Sequence, residues 1–310
     1  MPDVLNRYLG GMMGVAAGDA LGGTTELMWY DEIAEKYGVL RDIIGGGKLG
    51  LDPGEVTDDT YMTIAVAKGI LKSGAMGKWT MPYDAIGDEF LAWIQSDYVN
   101  DVGKTVSRTI RHYYQTRDWF SAARLTDEQL GGLSDGNGSV MRCVPVPLAY
   151  AGSEETALEI AYRQSKLTHY GELAGETCKI YTRIILDILD GAELKEAFLS
   201  GIRGSEYEHL APATFETVPA NAYIKHTFRW VQKVIMEENS FEDIIIRAAN
   251  NGGDSDTIAA IAGGLAGVYY GYEAIPERWK EKILRRTEIE TLARKLYQFN
   301  QAWRRIKQTT

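Results

Sequence analysis

The chain has 310 residues, 45% of them apolar and 25% charged, with a net charge of −10. That length suits one large domain or two small ones, with enough interior for a sizeable core. The acidic balance excludes the basic face that a nucleic acid or an anionic membrane surface would need, so neither is expected as a partner.

The opening stretch, MPDVLNRYLGG, lacks the basic region and apolar block of a signal peptide. Uncharged runs such as Thr257 to Tyr272 fall short of the ~20 residues of a membrane span. A cytoplasmic protein is expected. Cys143 and Cys178 have no CxxC spacing and read as reduced, buried thiols.

In chain order, VLNRYLGGMMGVAAGDAL (4–21) has apolar residues at helical spacing, with Asp19 near its end. TYMTIAVAKGILKSG (60–74) repeats the pattern and stops at Gly74. PYDAIGDEFLAWIQS (82–96) starts a helix at Pro82, and VGKTVSRTIRHYY (102–114) is helical. SEETALEIAYRQSKLTH (153–169) opens with Ser153 and an acidic first turn. Further helices are expected over 171–191, 220–238, 240–251 and 290–306. No alternating run between hairpin turns signals a strand. The pattern predicts an all-α bundle, and no linker divides it, so residues 1–310 read as one domain. The irregular segments are 45–56, 133–142 and 203–219; long loops of this kind are often functional. GGGKLG (45–50) lacks the Gly-Lys-Ser/Thr ending of a phosphate loop and reads as a turn.

Two helix starts stand out. EVTDDT (55–60) places Thr57, Asp58 and Asp59 before one apolar helix. GGDSDT (252–257) places Asp254, Asp256 and Thr257 before another. Helix capping explains an acid and a hydroxyl at either place alone. Two acids at both mouths, with Lys68 and Lys72 turns away, point instead to hard oxygen ligands for Mg²⁺ or Mn²⁺. No His/Cys cluster suggests zinc, and no EF-hand spacing suggests calcium. If the mouths face each other, four Asp and two Thr can hold two cations in a hydrolytic centre. The Asp-x-Asp of metal-dependent glycosyltransferases is a rival, but those enzymes are α/β.

The ordered set MMGVAAGDALGGTTE (12–26), EVTDDT, DVGKT (101–105), GNGSVMR (136–142), Thr168-His169, NNGGDSDTIAAIAGGLAG (250–267) and YYGYEAIPERW (269–279) resembles the ADP-ribosylglycohydrolase family along nearly the whole chain. The resemblance implies an all-α fold with a binuclear Mg²⁺ or Mn²⁺ cleft. It implies hydrolysis of the bond between ADP-ribose and an arginine, a serine or a small-molecule acceptor. By motif the metal ligands are Thr57, Asp58, Asp59, Asp254, Asp256 and Thr257. Asp58 and Asp256 also count as catalytic, with Glu26 to position or deprotonate the attacking water. Asp101 either assists proton transfer or caps its helix.

The expected substrate contacts are Gly103, Ser134, Gly136, Asn137, Gly138, Ser139, His169, Gly252 and Gly253, with Tyr223 stacking on adenine. Lys104 reaches a phosphate or solvent. Some relatives have an aromatic before the Gly-Asn-Gly motif where this chain has Ser134 and Asp135, so adenine stacking must come from elsewhere. A non-catalytic ADP-ribose binder or structural relative, and a phosphatase on the same scaffold, are the competing functions. A monomer or weak dimer is expected.

Overall fold

The computed structural model describes residues 2–74, 79–99, 101–211, 213–214 and 217–307. Fifteen α-helices occupy them. They are α1 (Val4–Gly22), α2 (Tyr30–Tyr37), α3 (Asp58–Ser73), α4 (Tyr83–Ile94), α5 (Lys104–Thr116), α6 (Trp119–Gln129), α7 (Pro145–Tyr150) and α8 (Glu154–Ser165). There follow α9 (Glu172–Leu189), α10 (Leu194–Ile202), α11 (Ile224–Glu237), α12 (Phe241–Ala249), α13 (Ser255–Tyr270), α14 (Glu277–Lys280) and α15 (Arg286–Lys307). Among the described residues the only β pairings are two isolated antiparallel bridges, Gly46 with Leu51 and Gly136 with Tyr223. The all-α class is as the periodicity predicts.

The centre of the fold is the antiparallel pair α1 and α13, and the sequence explains it. Gly10, Gly14, Gly18 and Gly22 recur every fourth residue, so they line one face of α1. A Cβ at Gly14 would lie 2.1 Å from the Gly263 carbonyl oxygen, and one at Gly10 2.1 Å from that of Gly267. At Gly18 the obstacle is the Ala259 oxygen at 2.1 Å, and at Gly22 the Cα of Asp256 at 2.5 Å. The backbones therefore touch directly, and both helices are buried over most of their length. Packed against the pair are α3, α9, α11, α12 and α15. This register brings the C-terminal end of α1 to the N-terminal mouth of α13.

The expected helix over 220–238 begins later, at Ile224. The carbonyls of Ala220 and Ala222 accept from the Asp254 and Asn137 amides instead of starting a helix. Of the 203–219 loop, residues 212, 215 and 216 lie outside the described residues. GGGKLG is a turn closed by paired Gly46 and Leu51 backbone bonds of 2.6 and 3.0 Å. Lys68 and Lys72 pair with Glu288 and Glu89, away from the acids at the helix mouths. Cys143 and Cys178 are free and buried. No helix among the described residues is long and apolar enough to cross a membrane.

Candidate metal centre and cleft

The two helix mouths meet. Thr257 Oγ1 on α13 donates to Asp59 Oδ2 on α3 at 3.2 Å, and Thr57 Oγ1 reaches the same oxygen at 3.4 Å. Glu26, in the turns after α1, joins Asp254 and Asp256, one oxygen from each lying within 4.8 Å of the others. Asp58, Asp59, Asp256, Thr57, Thr257 and Glu26 are all buried.

Capping does not explain these acids. Neither Thr57 nor Asp254, the two N-cap residues, caps its own helix through its side chain. Two of the amides at the start of α3, those of Thr57 and Thr60, are taken by Asp19 of α1. Its carboxylate accepts from the Thr57 amide at 3.0 Å, the Thr57 hydroxyl at 2.9 Å, the Thr60 amide at 3.1 Å and the Thr60 hydroxyl. On α13, the Ser255 amide donates to Glu26 Oε2 at 2.9 Å. Asp256 Oδ1 also accepts the Thr257 amide at 2.8 Å, so capping occupies part of Asp256 but neither Asp58 nor Asp59.

Electrostatics show how crowded that cluster is. Burial, then Asp254, pushes the Asp256 carboxyl up to about 7. Burial pushes Asp254 up to about 6 against the pull of the Asn137 hydrogen bond. Burial raises Asp58 and Asp59 well above the carboxylate range, with Asp101 next for Asp58 and Asp256 next for Asp59. Glu26 is also raised, by burial and then by Asp256 and Asp254. Asp19 rises to about 6 because burial outweighs its four hydrogen bonds.

The donor set fits a hard divalent cation. It consists of oxygen alone, and the buried Asp59 Oδ1 has no hydrogen-bond partner. Among the described residues no lysine or arginine forms a salt bridge with Glu26, Asp58, Asp59, Asp254 or Asp256; the ion pairs of α3 and its neighbours lie elsewhere. Buried carboxylates persist when paired or when they coordinate metal.

A cleft of ≈ 680 Å³ opens above the cluster, within the usual range of ligand sites. Its walls include Glu26, Asp58, Asp254, Asp256 and Thr257, then Asp101, Gly103 and Lys104, and further along Gly136, Asn137, Gly138, His169 and Tyr223. Asp101 does not cap α5, whose N-cap is Gly103; its Oδ1 accepts the Val102 amide at 2.8 Å. The Gly103 amide donates to Asp58 Oδ2 at 3.2 Å. Asn137 braces the centre: its Nδ2 donates to Asp254 and, at 3.0 Å, to Thr227.

His169 explains the glycines on either side of Asn137. A Cβ at Gly138 would stand 2.9 Å from His169 Cε1, and one at Gly136 3.1 Å from Nε2. Burial, then Arg142, pushes the imidazole down to about 3, so the ring is neutral. Nδ1 lies 2.8 Å from Thr168 Oγ1. Tyr223, 41% exposed, lies at the N-cap of α11 and meets His226 edge-on.

The remaining expected contacts stand behind the wall. The Ser134 hydroxyl donates to Asp127 Oδ1 at 2.6 Å and accepts the Gly171 amide. The Ser139 hydroxyl accepts from Ser165 at 2.8 Å. Gly252 and Gly253 adopt φ of +69° and +67°, and a Cβ on them would meet the Met28 and Ala220 carbonyls at 2.4 and 2.1 Å, so glycine shapes the turn into α13. Thr57 and Asp59 are buried and do not line the cleft. Sequence reading passed over Asp19 as a site residue; its signal was a lone acid on an otherwise apolar stretch of α1.

The fold and site define a helical protein with a buried, oxygen-rich acid cluster under a ligand-sized cleft. The family model described as ADP-ribosylglycohydrolase matches residues 1–306. An ADP-ribosyl-[dinitrogen reductase] glycohydrolase of Rhodospirillum rubrum is 34% identical over 292 residues, spanning 93% of this chain and 94% of the relative. An ADP-ribosylarginine hydrolase Tri1 of Serratia proteamaculans is 25% identical, spanning 94% and 79%. A solved structure titled ADP-ribosylglycohydrolase-related protein complex has a TM-score of 0.80 and 31% identity, covering 97% of this chain and all of that one. The chain belongs to the ADP-ribosylglycohydrolase family and is a glycosidic-bond hydrolase.

Proposed function

We propose that residues 1–310 form one domain that hydrolyses the bond between the distal ribose of ADP-ribose and its acceptor, releasing ADP-ribose. The acceptor is an arginine, a serine or a small molecule. The observation that carries this reading is the convergence of two acid-bearing helix mouths on Asp59, whose Oδ2 is met by Thr257 of the other helix while its buried Oδ1 has no hydrogen-bond partner.

Thr57, Asp58, Asp59, Asp254, Asp256 and Thr257 would hold two Mg²⁺ or Mn²⁺. When bound, the cations supply Lewis acidity and offset the charge of the carboxylates and the diphosphate. Glu26 holds the attacking water at the floor of the cleft and takes its proton. One Glu26 oxygen is fixed by the Ser255 amide, which sets the carboxyl's orientation. The water oxygen bonds to the anomeric carbon as the bond to the acceptor breaks. Asp101, beside Asp58, passes a proton to the leaving atom, and the proton that Glu26 took from the water replaces it, so that the leaving group departs neutral and both carboxyls return to their starting state. Gly136, Gly138, neutral His169 and Tyr223 form the nucleotide wall. Ser134, Ser139, Gly252 and Gly253 shape that wall from behind, and Gly103 fixes Asp58. We read the protein as a cytoplasmic monomer or weak dimer.

The test is mass spectrometry of products from ADP-ribosyl-arginine and ADP-ribosyl-serine peptides with Mg²⁺, Mn²⁺ or EDTA. Free ADP-ribose appearing only with a divalent cation is the expected result. Tight ADP-ribose binding without any release would instead make the chain a non-catalytic binder.

A further inference from the structure

Helix α5 carries Lys104, Arg108 and Arg111 and no acid. The spacing of four and three residues puts these cations on one face, opposite the buried Val106, Thr109 and Ile110. Lys104 and Arg111 are exposed and Arg108 is half-buried. Other surface helices pair their cations with their own acids: Arg124 with Glu128, Lys179 with Glu176, Lys233 with Glu237, Arg286 with Glu290. Among the described residues no carboxylate pairs with the three cations of α5. An unpaired basic stripe is a departure in a chain of net charge −10.

Its position is as telling as its charge. Lys104 and Thr105 line the cleft beside Asp58, Asp101 and Glu26, whereas Arg108 and Arg111 lie outside the cleft lining. The stripe thus starts at the acid-cluster end and runs outward. If ADP-ribosyl hydrolysis is the reaction, the acceptor leaves from that end. A macromolecule bearing the acceptor would then overlie the first turns of α5.

We propose that this face of α5 docks an acidic segment flanking the modified side chain of a protein substrate, a reading that rests on the hydrolysis proposed above. Guanidinium groups match carboxylates in bidentate geometry, and a stripe of one sign steers an oppositely charged partner. A continuous nucleic-acid backbone fits less well, because it would cross the acids at the mouth of the cleft.

The experiment compares two synthetic peptides, each with one ADP-ribosylated arginine, flanked by glutamates in one and glutamines in the other. The intact protein should hydrolyse the glutamate peptide with kcat/KM about tenfold higher at low salt. An Arg108→Gln/Arg111→Gln double variant should show no such preference and unchanged turnover of the glutamine peptide. Screening at about 0.5 M NaCl should abolish the preference in the intact protein. Equal rates on both peptides, or a preference that survives in the double variant, would overturn the proposal. So would tighter binding of a single-stranded oligothymidylate than of the glutamate peptide. Failure to hydrolyse either peptide would count against arginine as the acceptor instead. In that event anisotropy of a labelled, unmodified glutamate peptide decides: about tenfold weaker binding by the double variant supports the docking face, and equal binding refutes it.

Discussion

Asp19 shows how much one buried acid can organise. Four hydrogen bonds converge on it, and two come from Thr57, through the amide and the hydroxyl. The Thr57 proton is thereby directed away from the cluster, which leaves the oxygen's lone pairs for a cation. Asp19→Asn replaces one acceptor with a donor at a fully buried place. It should lower stability by about 1–3 kcal/mol in urea unfolding and weaken Mn²⁺ binding by about 10–100-fold in calorimetry. Unchanged Mn²⁺ affinity would reduce Asp19 to a helix cap.

His169 makes a second prediction at this scale. Its folded-state value of about 3 lies below the ordinary 6.5. Between those values the unfolded chain takes up a proton that the folded chain refuses, so this residue's contribution to stability falls as pH falls through that window. His169→Gln should make the stability–pH slope between pH 6 and 4 shallower by up to about 1.4 kcal/mol per unit. Parallel curves for the two proteins would mean that the imidazole charges in place. The acid motifs at 57–59 and 254–257 were legible because their composition is unusual. The inward burial of Ser134 and Ser139 was not, because it depends on Asp127 and Ser165, which belong to other helices.

Among the elements, the α1–α13 pair sets the position of the centre. The backbone contact at Gly14 leaves no room for a methyl group, since its obstacle is a carbonyl that cannot rotate away. Gly14→Ala should therefore cost about 3 kcal/mol in equilibrium unfolding, a difference from the intact protein that should be the same with and without divalent cation. A cost no greater than that of a surface substitution would show that the helices separate without penalty. Helical periodicity made the long helices readable. It did not reveal α2, α6, α7, α10 or α14, which are four to eleven residues long and owe their form to packing more than to propensity. Nor did it show which helices pair, because the glycine ladder of α1 names no partner until α13 is folded against it.

For the molecule as a whole, folding assembles a cluster of buried acids that repel one another. A ligand that binds only the folded state stabilises it by mass action, by about 2.7 kcal/mol at a hundredfold excess over Kd. Mg²⁺ or Mn²⁺ should accordingly raise the melting temperature, and EDTA should lower it to that of the metal-free protein. Identical melting curves with and without cation would mean that the carboxylates relieve their repulsion by protonation alone.

The claim on which everything else rests is that these carboxylates hold cations. It is tested most directly by counting Mn²⁺ per chain in equilibrium dialysis, for the intact protein and for Asp256→Ala. The account predicts two ions bound per chain, with at least one lost in the variant while its helical circular dichroism persists. An intact protein that binds no Mn²⁺, or a variant that binds as much as the intact protein, would contradict it.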